Sequence, residues 1–399
     1  MGSAKNYLAI LSLIFSVFFL SKPTAAQTTS PLSNFQVNSI FGESITFSAN
    51  IDPETPFESI DLIFRPISNG TSTVIPAALE SGDLVIANYQ INPQDYIPVF
   101  STIEYWYNIK FQDGSQKQSP KERFIYQDNR FEWDHVQFDD NYQIYWTEGN
   151  LAFGQAVYDS IQQSIDSYSK YLDLPAPDTL YVYIYRNDSQ LQMALNITNA
   201  RWIAGHANPA ENIIVTSIPT GTGDLLDIKR QIPHELTHIR LYYYLDENYA
   251  NLPAWYNEGL ASLAELYYLP EYREILDAAW KNDNLIPMSN LCSTFPSEPN
   301  LAGLAYAQAE SFVRFLYNQY GKDGLQRLLD AYKQGHTCSN SLQEAFNLDL
   351  DELQKEWYQD TFNSSILPQS LNTAVTWIIL LLVIVISPTL LIVFSTRRK

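Results

Sequence analysis

Residues Gln231 to Arg240 read QIPHELTHIR, and no other stretch constrains the fold as tightly. His234 and His238 lie four apart, so a helix through them turns both imidazoles to one face, where they can meet a single tetrahedral ion. Glu235 falls about 100° further round the helix, beside that ion, where a carboxylate can take a proton from a bound water. The 399 residues include five histidines, and such a composition yields a His-Glu-x-x-His match by chance only about 0.003 times. Ile232, Leu236 and Ile239 supply the apolar side that anchors the helix. The bland alternative is a helix whose histidines only make hydrogen bonds. Pro233 leaves two arrangements open. The helix can begin there, where a proline is harmless, or run on from about Asp224 and give up one hydrogen bond, at about 3 kcal/mol.

A structural zinc takes four protein ligands, whereas a catalytic zinc keeps three and leaves one position for water. The third is sought downstream in LPAWYNEGLASL, where nineteen residues separate His238 from Glu258. That is enough chain to turn and come back as an antiparallel helix, and Glu258 is the expected ligand. Gly259 would let that helix approach a neighbour closely, with Leu260, Ala261 and Leu263 packing.

The ends of the chain point to a membrane. Residues 1–26 have a lysine near the start, an apolar run from Leu8 to Leu20, and small residues before Gln27, the pattern of a signal peptide; an uncleaved anchor is the alternative. Ala374 to Phe394 carries no charge, and its helix would be about 31 Å long against a hydrocarbon core of about 30 Å. It is expected to be one transmembrane helix, 374–394, followed by a cytoplasmic tail, 395–399. Arg397, Arg398 and Lys399 favour the inside, so the protein would be a single-pass type I cell-membrane protein facing outward. The net charge of −20 argues against nucleic acid as a partner. Cys292 and Cys338 are the only cysteines and in an exported chain are expected to pair. His336 nearby has a conceivable but less favoured metal role.

Between the ends, two textures divide the sequence. From 33 to 128, short runs such as SITFSANI and IEYWYNIKF alternate apolar and polar residues between turn signals, the pattern of an all-β sandwich of immunoglobulin or fibronectin kind. From 131 to 362 helical and strand-like segments mix: a helix over Asn150–Leu172, strands at Thr179–Asn187 and Asn212–Ile218, then successive helices. This is an α+β domain with a helical C-terminal half.

HELTH followed by WYNEGLA resembles the gluzincin zinc metallopeptidases, the group of thermolysin and the membrane aminopeptidases, and more closely the peptidase MA-like proteins of bacteria. The resemblance spans roughly Phe131 to Phe362. It implies a zinc peptidase with His234, His238 and Glu258 as ligands, Glu235 as general base, and a peptide or protein substrate. LAYAQAESFVRFL resembles the segment whose tyrosine stabilises the oxyanion, which implies that role for Tyr306; one core tyrosine among the chain's 27 is the alternative. It also implies a substrate-binding edge strand before the zinc helix, here Asn212 to Thr216. Glu211 is a candidate for holding a substrate amine, and His206 either lines the cleft or sits in a loop. The rival from another class is a surface binding or adhesion protein that holds zinc without turnover. The intact set of His234, Glu235, His238 and Glu258 weighs against it.

Overall fold

The computed structural model describes residues 30–68, 70–92, 94, 97–196 and 205–362. The expected signal peptide, transmembrane helix and tail lie outside the described residues.

The N-terminal part is eight antiparallel strands: β1 (Leu32–Ile40), β2 (Ser44–Ile51), β3 (Phe57–Pro66), β4 (Thr73–Ser81), β5 (Leu84–Gln90), β6 (Thr102–Phe111), β7 (Gln116–Gln118) and β8 (Glu122–Ile125). Alternation does what it should: Ile45, Phe47, Ala49 and Ile51 of β2 are buried, as are Ile60, Leu62 and Phe64 of β3. The strands run β1-β2-β5-β4-β3-β6-β7, with β8 also on β6. They form one sheet folded into a half-barrel, which corrects the expectation of two separate sandwich sheets. The reason lies in β4. Its first half, through Ala77, pairs with β3, and its second half, from Ala78, pairs with β5 through a bulge at Leu79–Ser81. One strand thus turns the corner between two layers. Phe47 of β2 then meets Phe64 of β3 and Tyr105 of β6 at 5.4 and 5.1 Å between ring centroids.

A second sheet follows: β9 (Asp134–Phe138), β10 (Tyr142–Trp146), β11 (Leu180–Tyr185), β12 (Gly205–Asn208) and β13 (Ile213–Ser217), in the order β12-β13-β11-β10-β9. β10, β11 and β13 are parallel, and both edges are antiparallel. Helix α1 (Leu151–Tyr168) makes the crossover from β10 to β11, capped by Asn150, whose side chain accepts from the amides of Ala152 and Phe153. A short α2 (Asp188–Ala194) precedes β12 and α3 (Asp224–Leu245) follows β13. α1 and α3 cover one face, packing Val157, Ile161, Ile228, Ile232 and Leu236 on Ile144, Val182 and Ile214.

The half-barrel covers the other face. Tyr183, Tyr185, Ile213 and Val215 share one apolar cluster with Phe100, Ile103 and Tyr126. Phe100 has a left-handed φ of 62°, and its ring stacks on that of Tyr183 at 3.6 Å. The Tyr185 hydroxyl donates to fully buried Asp128 at 2.8 Å, which also pairs with Arg130 at 2.6 Å.

The helical half comprises α4 (Ala254–Ala264), α5 (Pro270–Lys281), α6 (Pro299–Lys333, broken at Gly321, φ 65°), α7 (Cys338–Phe346) and α8 (Leu350–Phe362). Trp255, Tyr256, Phe312, Leu328 and Trp357 fill its core. The Cys292–Cys338 disulfide is present and ties the segment after α5 to α7.

Candidate metal centre

His234, Glu235 and His238 sit on α3, which continues through Pro233, so the helix does not begin there. Proline has no N–H to offer the carbonyl four residues back, that of Lys229. The Leu266 amide takes its place, donating to Lys229 O at 2.9 Å. The lost helical bond therefore becomes a tie between α3 and the chain leaving α4. That chain begins with Glu265, next to Leu266.

The tie matters because Glu265 Oε1 lies 3.0 Å from His234 Nδ1, and Asn257 Oδ1 of α4 lies 3.0 Å from His238 Nδ1. Both oxygens accept, so each Nδ1 carries the hydrogen and each Nε2 is left facing Glu258. His234 Nε2 is 3.2 Å and His238 Nε2 3.7 Å from Glu258 Oε2. The edge of a tetrahedron with metal–ligand bonds of 2.0–2.1 Å is about 3.3 Å, near these two spacings, and the three atoms lie within 4.8 Å of one another, so the trio could hold a small metal ion. Among the described residues, His234, His238 and Glu258 are the trio of metal-ligating side chains close enough to hold one. Glu265 and Asn257 were not foreseen from the sequence. No spacing rule marks a group that orients the far side of an imidazole.

The electrostatics favour a cation. Burial alone would lower the His234 pKa, but the Glu258 and Glu265 carboxylates outweigh it and lift the imidazole to about 10. Burial works against ionised Glu258 too, yet His238 and His234 hold its pKa below the ordinary value. Glu235 goes the other way, raised by burial against the pull of the same histidines. Gly205 of β12 runs against Glu235: a Cβ there would lie 2.5 Å from Glu235 Oε1. Only glycine lets the strand pass so near the carboxylate.

Tyr306 of α6 is within 6.1 Å of His234, ring to ring, and hydrogen-bonds Glu258. Burial, then the charges of Glu258 and Glu235, keep its phenol protonated well above the ordinary range. These groups line a cavity of about 750 Å³, bordered also by β12, Arg230 and Gln231 of α3, and Phe295. Buried Gln231 hydrogen-bonds Thr216 of β13 and so fixes α3 to the sheet.

Two expectations change and one open alternative is decided. Asn212 to Thr216 cannot receive a substrate strand, because β13 lies between β11 and β12; the edge belongs to β12. Glu211 does not line the cavity but accepts from the Thr102 amide of β6 at 2.6 Å and from Asn208 Nδ2 at 3.2 Å. His206 lies on β12 and lines the cavity, rather than sitting in a loop.

The family model of the Peptidase MA superfamily matches residues 160–363, just over half of the chain, including all of these site residues. The chain belongs to the Peptidase MA superfamily. The matched segment begins inside α1, so the superfamily domain takes in β11 to β13 and every later helix, while the half-barrel lies outside it. No curated protein matches the chain. Solved structures similar to it include a myokine (11% identity, 25% of this chain and 97% of that one, TM-score 0.19). A purple acid phosphatase from yellow lupin (Lupinus luteus) seeds has 10% identity over 48% of this chain and 37% of its own, with TM-score 0.21. A polysaccharide deacetylase from Bacillus cereus has 6% identity over 51% and 77%, also at 0.21. Likeness this slight carries no argument about a Peptidase MA chain.

Proposed function

We propose that the chain is a zinc-dependent peptidase of gluzincin type. The observation that carries this reading is the convergence of His234 Nε2 and His238 Nε2 on Glu258 Oε2, with Glu235 beside them in an open cavity. His234, His238 and Glu258 would hold the ion, and Glu265 and Asn257 would keep the two rings in register. When bound, zinc supplies Lewis acidity, polarising a peptide carbonyl and making its water acidic enough to lose a proton near neutral pH.

The remaining work falls to the side chains. Glu235 takes the water's proton on its carboxylate and returns it to the leaving amine. Tyr306, kept protonated, would turn its O–H from Glu258 toward the oxygen on which negative charge grows. The main chain of β12 pairs with an extended substrate, holding its carbonyl at the site. Glu211 is engaged elsewhere and offers no amine-holding acid, which supports an endopeptidase over an aminopeptidase. The uncharged run 374–394 and the basic residues after it support a membrane-anchored chain with its catalytic part outside the cell.

Glu235→Gln tests the mechanism. The full chain, purified in detergent, should keep its zinc and lose peptide hydrolysis by about 10² to 10⁴-fold. Activity within a few-fold of the unchanged protein would remove Glu235 from the mechanism. Absence of any hydrolysis by the zinc-loaded unchanged chain would favour the binding protein.

A further inference from the structure

We infer that the cleft recognises a substrate carboxylate through Arg230, an inference that rests on the peptidase reading. Among the residues lining the cavity, the charged side chains other than histidine are Arg230, Glu235, Glu258 and Glu265. The three acids are committed. Glu258 faces both Nε2 atoms, Glu265 binds His234 Nδ1, and Glu235 lies under Gly205 as the proton acceptor. Among the described residues Arg230 has no comparable engagement. Its nearest acid is Asp227, one turn back on α3, at 3.8 Å, and Asp227 is itself 40% exposed. A pair that loose and that wet contributes little and is readily exchanged for a better carboxylate.

Position makes Arg230 useful to a substrate. It precedes His234 by four residues on one continuous helix, so the two share a face and stand about 6 Å apart along the axis. An extended peptide advances about 3.3 Å per residue, so a carboxylate at Arg230 belongs to a residue within about two of the scissile bond. The Arg230 side chain is 26% exposed and lines the cavity, partly desolvated, where a planar two-pronged contact with a carboxylate is strongest. That carboxylate has two sources, an Asp or Glu side chain of the substrate or its free C-terminus.

Matched quenched peptides separate them. One series carries Asp or Asn at each of two positions on either side of the bond; a second carries a free or an amidated C-terminus. The full zinc-loaded chain should cleave the carboxylate member of at least one pair with kcat/KM about tenfold higher. Arg230→Gln should bring that ratio close to one, with Arg230→Lys in between. Pairs cleaved alike by the unchanged chain, or a ratio that survives Arg230→Gln, would overturn the inference. Binding of the same peptides to Glu235→Gln protein, with and without Arg230→Gln, reads the subsite without turnover. A carboxylate preference lost with Arg230, in a chain that hydrolyses nothing, would retain the subsite and remove the peptidase reading. Equal binding throughout would remove the subsite alone.

Discussion

At the scale of single residues, the site depends on small groups as much as on the ligands. Gly205 is the clearest case. A methyl at that position would meet Glu235 Oε1 at 2.5 Å, and the carboxylate is the part free to swing away. Gly205→Ala is therefore expected to leave the fold and the bound zinc intact while lowering kcat by tenfold or more, roughly the effect of misplacing a general base. Equal kcat in the variant, with zinc content measured alongside, would show that Glu235 does not need its present position. That His234, His238 and Glu258 could come together was legible in the sequence, because a helix imposes a four-residue repeat and a return helix needs a minimum of intervening chain. Asn257 and Glu265 were not, since what they do depends on which imidazole nitrogen faces them across two elements. Glu211 looked available only because nothing in its surroundings announces the Thr102 amide, 109 residues away in sequence.

At the scale of elements, two close approaches set the geometry. Pro233 converts a missing helical hydrogen bond into a tie from Lys229 to Leu266, joining α3 to the end of α4. Gly259, beside the third ligand, lets α4 settle on α6: an added Cβ would stand 2.5 Å from Val313 Cγ2 and 2.6 Å from Ala309 O. The second of these is backbone and cannot give way. Gly259→Ala should thus cost about 1–3 kcal/mol by overpacking and, because Glu258 is the adjacent residue, weaken zinc binding as well. Thermal melts and zinc affinity measured together check this; a stable variant with unaltered affinity would contradict it. Element types followed from periodicity where runs were long, as in α1 and β11. β9 and β10, five residues each, and β12, four residues at a sheet edge, are too short for a period to register. The corner in β4 escaped for another reason: alternation says which face is buried, never which neighbour is paired.

At the scale of the whole molecule, the half-barrel is part of the machine. It covers the face of the five-stranded sheet opposite α1 and α3, with Phe100 stacked on Tyr183 and the buried Asp128 held by Tyr185 and Arg130. Removing it would expose Tyr183, Tyr185, Ile213 and Val215, all 6% exposed or less, on the sheet whose opposite face supports α3. Residues 30–362 should accordingly unfold in one cooperative transition by calorimetry; two well-separated transitions would mean independent units. The disulfide closes a loop spanning a separation of 46 residues and adds about 4 kcal/mol by the loop-entropy relation. Sheet, half-barrel and helices together hold α3 and α4 where His234, His238 and Glu258 meet. The direct test is the metal content of the full chain in detergent after zinc-replete purification, beside Glu258→Ala. One zinc per unchanged chain, sharply reduced in the variant, is the predicted result. No zinc in the unchanged chain, or an undiminished amount after Glu258→Ala, would contradict it.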